Sequence, residues 1–552
     1  MDQDTALRPL LLITLLFGLA LPPMAGANGT TAESDLDAPQ SLPLRETLER
    51  APAAPFTAEL RRLYEARAFQ PLWSRGGAPT SQALALTDAL LHADEQGLTP
   101  ADYDGPRLQA WLAAKPSAAA NWTAFDIALS RALMRFGDHL HRGRVDAAAQ
   151  AKLGIALQAK APLDWTALLE EWSKSAEPAQ ALNRLEPDTA VYRTLKTALR
   201  QYRALAAQTP AFTPIPPAKK GLRPGETRDS VPALRALLQA NGYLPQGQPP
   251  ADANLYDEAT ADAVRRFQTH HGLEPDAVVG GQTLLQLNMT PANRLDQLRL
   301  GMERLRWLPD KHDGTFLVVN VPSFRLYGFS TGSPNLAKPD IGMNVIVGQA
   351  IDTRNTPVFQ ADMLYLVFRP YWNVPYSIAR KELVPLIERD GGYIEKNDME
   401  IVDAYGAAEG GALEASAENI EAVYGGKLRL RQRPGAKNAL GPIKFVFPNM
   451  NSVYLHGTPQ QRLFLRTRRD FSHGCIRVED PASLAEFVLK KQDGWDKERI
   501  ESSMKGDKSF TLRLGAAVPV YIFYTTALAD EQGQVQFYPD IYGQDTKLLK
   551  LL

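Results

Sequence analysis

The chain has 552 residues, 44% of them hydrophobic and 22% charged, a balance that excludes an intrinsically disordered chain and a membrane bundle. Such a length exceeds one hydrophobic core and predicts roughly three or four domains. Sixty-one Lys and Arg oppose 62 Asp and Glu, a formal charge of −1, so no global field would hold the chain on nucleic acid or anionic lipid.

The first element is the apolar run "LLLITLLFGLAL", Leu10 to Leu21, followed by small residues at Ala25 and Ala27. It reads as a secretory signal peptide over residues 1–27, although Asp2 and Asp4 deny the leader its usual positive excess. The run is shorter than the ~20 residues of a spanning helix; an uncleaved inner-membrane anchor is the alternative. Residues 28–45 are polar and contain proline, the composition of a linker. Residues 46–215 carry helical periodicity, with Phe125, Leu129, Leu133, Phe136 and Leu140 on one face. His139 and His141, two apart on a helix, point in different directions and form no metal pair.

A proline-dense stretch over 207–227 precedes a small three-helix unit at 221–290. Leu234, Leu237 and Leu238 stripe its first helix, Ala259, Ala263, Val264 and Phe267 its second, and Thr283, Leu284 and Leu287 its third. A core this small suits a binding module. His270 and His271 read as solvated turn residues. A connecting helix at 294–314 leads into residues 315–545, where the period becomes alternating in "TFLVVNVPSFRLYGF", "MNVIVG", "IKFVFPN" and "SVYLHGT". An insertion at about 380–435 is helical first, then rich in Gly, Ala and Glu. The fold class expected is multi-domain α+β: a helical N-terminal scaffold, a small three-helix domain and a mostly β domain.

Within "SVYLHGTPQ" alternation puts Tyr454 and His456 on one strand face, with Val453 and Leu455 on the other. Nineteen residues after His456 comes Cys475, the chain's only cysteine. A lone cysteine is commonly a small buried hydrophobe. Beside an imidazole it becomes a nucleophile, because its ordinary pKa of about 8.5 leaves little thiolate at neutral pH until a base takes the proton. Gly474 lets a carbonyl approach the N–H groups of the Gly474-Cys475 turn, and the Tyr454 hydroxyl adds a donor for an oxyanion.

"HGTP" followed by "SHGCIRV" resembles the catalytic signature of the L,D-transpeptidase family. The resemblance implies Cys475 as nucleophile, His456 as base and Gly457 as the carbonyl that orients the imidazole, with Ser472, His473, Gly474 and Arg477 completing the motif. The three-helix unit is similar to a peptidoglycan-binding domain through Asn241, Gly242, Tyr243, Thr260, Phe267, Gln268, Gly272, Asp276, Gly280 and Thr283. It departs from that pattern at Ala277, where glycine is usual. "YWNVP" and "PGAKNALGPIKFVFPN" resemble the large multi-domain periplasmic branch of the family, which implies that Trp372 and Asn373 line the substrate cleft.

The implied activity joins diaminopimelate to diaminopimelate, with peptidoglycan tetrapeptide stems as donor and acceptor, no metal or other cofactor, and carbapenem-type β-lactams as inhibitors. L,D-carboxypeptidase and lipoprotein-tethering activities share the same acyl-enzyme; a non-catalytic peptidoglycan-binding scaffold is the alternative of another class. Five arginines, 462, 466, 468, 469 and 477, oppose only Asp470 between the motifs, a local excess suited to an anionic stem.

Overall fold

The computed structural model describes residues 44–552 apart from 115–118, 209–213, 218–219, 246, 248–249, 352–353, 404–410 and 507. The leader at 1–27 and nearly all of the linker at 28–45 lie outside the described residues. A helix, Leu44–Arg50, already starts within the linker's last residues and buries Leu44 and Leu48.

Amphipathic stripes on the helices that follow meet in one core around Trp73, Phe125, Leu133, Phe136 and Trp172. The stripe from Phe125 to Leu140 is the buried face of the helix Ala119–Arg142. Asp126 is buried in it with no ion pair among the described residues; its carboxylate accepts from the N–H of Leu72 and Trp73 and from the hydroxyls of Tyr64 and Ser74. His139 is half-buried, with the Tyr103 hydroxyl 2.9 Å from its Nδ1.

Three helices, Val231–Ala240, Glu258–His270 and Gly281–Leu287, enclose Leu234, Val264 and Phe267. Ile215, within the proline-dense stretch, belongs to this core and donates its N–H to Asn288 Oδ1. The reading of His271 as solvated is corrected: it is 3% exposed and stacks on Phe267, ring centroids 3.9 Å apart. The reason is tertiary, since the same ring faces Phe537 of the C-terminal region. Ala277 holds a φ of 60°, so the turn keeps the left-handed geometry that glycine adopts freely, at a cost of about 1–2 kcal/mol.

From Phe316 onward the alternating residues build a sheet in the order Ile443–Val446, Leu455–His456, Ile476–Val478, Ile341–Gly348, Arg325–Phe329, Phe316–Asn320, Phe510–Phe523, Val358–Phe368. The last strand pairs back on the first, with Ile443 opposite Phe368. Closure removes the free edges that would otherwise invite association. Inside lie Leu317, Val345, Val347, Leu366, Phe445, Leu455 and Ile476. One strand comes from the N-terminal region: Ile155–Ala156 pairs in parallel with the start of Val358–Phe368.

The helix Pro291–Leu305 packs against the opposite face, together with Val191, Tyr192 and Leu195 of the helix Ala190–Gln208. Its end buries Glu303, Arg304 and Arg306. Arg306 donates to the Tyr192 hydroxyl at 2.7 Å and to the Gln96 carbonyl, Glu303 accepts from the Val145 N–H at 2.9 Å, and Arg304 pairs with Asp545. The insertion joins the preceding strand Trp372–Asn373 to build a three-stranded sheet with Leu428–Gln432 and Met399–Asp403, over Val384, Ile387 and Leu430. Among the described residues no helix is long and apolar enough to cross a membrane.

Candidate active site

Cys475 stands at the head of Ile476–Val478, which runs parallel to Leu455–His456 with Leu455 opposite Ile476 and His456 opposite Arg477. Gly474 makes the approach possible: its φ of +115° is a conformation that L side chains rarely adopt. Its N–H donates to Ser472 Oγ at 3.1 Å, Ser472 Oγ donates to the Cys475 carbonyl, and Thr356 Oγ1 donates to the Gly474 carbonyl at 2.9 Å. The N–H of Cys475 bonds no described residue. Of the two N–H groups expected to face a carbonyl, that of Gly474 is therefore occupied and that of Cys475 is available.

The thiol is half-buried and donates to the Ser452 carbonyl at 3.8 Å. Ser452 presents that carbonyl from a left-handed φ of 54°. Burial pushes the thiol pKa up; hydrogen bonds from the amide and hydroxyl of Tyr454 and the charges of Lys444 and Arg477 work against it. Burial also pushes the Tyr454 hydroxyl up, which keeps it protonated as a donor.

Regular strand geometry covers only Leu455–His456, yet Tyr454 and His456 do share a face, their ring centroids 5.5 Å apart. His456 is 5% exposed. Its Nδ1 donates to the Gly457 carbonyl at 2.6 Å. A carbonyl only accepts, so the neutral ring carries its proton on Nδ1 and leaves Nε2 bare. Burial first, then the charge of Arg477, depresses its pKa to about 3. Gly441 backs this contact: a Cβ there would lie 2.6 Å from the Gly457 carbonyl carbon. No hydrogen bond joins Sγ to the imidazole.

Arg477 donates to Gln460 Oε1 at 2.8 Å, and its Nε is buried without a partner. His473 Nε2 lies 2.7 Å from Glu382 Oε1, which also pairs with Arg354. Burial works to raise the Glu382 carboxyl, but the bonds from His473 and Arg354 hold it below the usual range. The insertion is thereby fastened to the thiol turn. Trp372 packs on the insertion's small core and Asn373 is exposed beside Tyr376; neither makes a hydrogen bond or ring contact with the thiol cluster. The arginine-rich loop is largely spoken for: Arg468 pairs with Asp470, and Arg469 donates to the carbonyls of Val345, Phe324 and Arg466.

Sequence reasoning missed Lys444, Ser452, Thr356 and Glu382. Only pairing reveals the first: Lys444 lies directly opposite His456 across the antiparallel strands, and within "IKFVFPN" it looks like an ordinary outward residue. Among the described residues no three His, Cys, Asp or Glu side chains group to hold a metal ion.

Residues 314–521 match the family model of the L,D-transpeptidase catalytic domain, residues 227–287 that described as "Putative peptidoglycan binding domain", and residues 58–199 that of the scaffold domain. A protein of Haemophilus influenzae named "Putative L,D-transpeptidase" is 34% identical over 257 residues, 47% of this chain and 50% of the relative. The chain thus spans about half the length of that curated relative. A solved L,D-transpeptidase from Xylanimonas cellulosilytica aligns at 16% identity over 56% of this chain and 100% of its own, with a TM-score of 0.17. A peptidoglycan-binding-domain protein from Clostridium acetobutylicum aligns at 14% identity over 55% and 99%, with a TM-score of 0.15. Superpositions this loose carry no argument about the fold. The family match covers the closed sheet and both halves of the thiol cluster, so residues 314–521 form an L,D-transpeptidase catalytic domain.

Proposed function

We propose that the protein is a cysteine-dependent L,D-transpeptidase that forms diaminopimelate-to-diaminopimelate cross-links in peptidoglycan outside the cytoplasm, in the periplasm after removal of its leader. The observation that carries this reading is the parallel pairing that brings Cys475, with its unbonded N–H, beside Tyr454 and His456. Cys475 Sγ leaves the Ser452 carbonyl and attacks the diaminopimelate carbonyl carbon of a tetrapeptide stem. His456 Nε2 takes the thiol proton and passes it to the departing amine of D-alanine as the C–N bond breaks. The Cys475 N–H and the Tyr454 hydroxyl bind the developing oxyanion. An acceptor amine from a second stem then attacks the thioester carbonyl, the amide forms, and sulfur leaves as thiolate and recovers a proton. Arg477, with an unsatisfied buried Nε, is suited to a stem carboxylate. The same thiol opens the ring of a carbapenem-type β-lactam by the first half of this chemistry.

Mass spectrometry of products from disaccharide tetrapeptides tests the reading: cross-linked dimer with free D-alanine is expected. Tripeptide without dimer indicates water as acceptor, hence a carboxypeptidase, and a lysine adduct with added lipoprotein peptide indicates tethering. Cys475→Ala is expected to abolish D-alanine release while retaining binding to sacculi. Turnover persisting in that variant overturns the mechanism, and binding without turnover in the wild type leaves a scaffold.

A further inference from the structure

A third polar side chain shares the sheet face of Tyr454 and His456. Lys444 lies on Ile443–Val446 directly opposite His456, and directly opposed residues of antiparallel strands project on the same side. Its ammonium sits 3.9 Å from the centroid of the Tyr454 ring. The side chain is partly buried; Cys475 works to raise its pKa, and its own charge in turn helps to depress that of His456. Among the described residues no carboxylate pairs with it. Its neighbours Ile443 and Phe445 point into the apolar core, so the strand needs no charge here for its own folding. Removing an ammonium from water without a counter-ion is unfavourable, and burial accordingly pulls the Lys444 pKa down while the thiol alone works to raise it.

The groups around Sγ narrow the choice of counter-charge. Tyr454 is a neutral donor, Arg477 adds a charge that acts on the thiol less than that of Lys444 and is hydrogen-bonded to Gln460, and His456 is buried with its pKa near 3, which disfavours an imidazolium in the resting site. We infer that the Lys444 ammonium, held against the Tyr454 ring, is the counter-charge of the Cys475 thiolate: it stabilises the anion left when the thiol proton goes to His456 Nε2 during attack, or to water when the free enzyme is titrated. No proton moves to or from Lys444. It acts through the field at Sγ, as a positioning residue for charge. The inference rests on reading Cys475 as the nucleophile.

Alkylation of the full-length protein by iodoacetamide across a pH series reads thiol ionisation with no wall substrate present, so it fails or succeeds independently of transpeptidation. Cys475 is the only cysteine, and the mass increment reports it alone. Lys444→Met is expected to raise the alkylation midpoint by about one pH unit, roughly tenfold slower reaction at neutral pH. Lys444→Arg is expected to titrate as wild type, and His456→Gln to move the midpoint less than Lys444→Met. An unchanged midpoint in Lys444→Met, an equal rise in Lys444→Arg, or a larger shift in His456→Gln overturns the inference. Should Lys444→Met fail to fold, the wild type still decides: linkage is reciprocal, so carboxamidomethylation of Cys475 must lower the Lys444 titration midpoint followed by NMR of ¹³C-methylated lysine. An identical midpoint before and after alkylation overturns it.

Discussion

Gly474 carries more of the site than its size implies, because both its conformation and its two backbone bonds hold the thiol in place. A Cβ there would meet nothing closer than the Arg354 carbonyl oxygen at 3.6 Å. The penalty for Gly474→Ala is therefore conformational and not steric. A left-handed alanine costs about 1–2 kcal/mol, so urea denaturation is expected to show a loss of that order, with a larger fractional loss of thioester formation as the turn relaxes away from φ +115°. A stable variant with wild-type acylation would show that the turn tolerates ordinary backbone geometry. Cys475, His456 and Tyr454 were legible as a cluster because strand alternation and a short spacing converge on them. Lys444 was not, since its neighbourhood exists only once Ile443–Val446 pairs with Leu455–His456.

The helix Ala119–Arg142 shows what burial does to a titrating group within an element. His139 sits in its last turn with its pKa lowered to about 3 by burial first and then by the charges of Arg144, Arg306, Arg135 and Arg142. The folded protein thus keeps this ring neutral where the unfolded chain, titrating near 6.5, takes up a proton. Unfolding then binds the extra proton below about pH 6.5, and stability is lost as pH falls from there toward 3, by up to about 1.4 kcal/mol per pH unit for each such histidine. His456 adds a second contribution of the same sign. Urea midpoints between pH 7 and 4 should decline more gently in His139→Asn than in wild type; parallel declines would exclude the ring as a source.

Element by element, long amphipathic helices and alternating strands were readable, because each repeats its own pattern locally. What escaped was assignment across distance. Ile155–Ala156 is too short to show a period, yet it joins the distant sheet, and His271 is polar in sequence but buried by Phe267 and Phe537.

At the scale of the whole molecule, the helix Pro291–Leu305 and the two arginines at its end join regions that composition alone would separate. Arg306 bridges Glu303, Tyr192 and the Gln96 carbonyl, and Glu303 reaches Val145. Arg306→Met leaves a buried carboxylate without its cation, a change that typically costs about 3–5 kcal/mol. Denaturation followed at Trp73 in the helical core and at Trp495 beside the sheet is expected to shift together in this variant. A shift at one probe alone would mean that the two regions unfold independently.

The three-helix module meets this same body directly. Thr467 of the catalytic region donates to Glu274 of the module at 2.7 Å, His271 faces Phe537, and a Cβ on Gly272 would press on the Tyr538 ring at 2.8 Å. A flexible tether would let a captured strand sample the nucleophile from many directions and raise its effective concentration accordingly. A docked module gives up that latitude in return for aim: under the proposed function, whatever it grips is offered to Cys475 along a fixed vector, so the spacing of stems along the gripped strand becomes a selection rule for which of them can react.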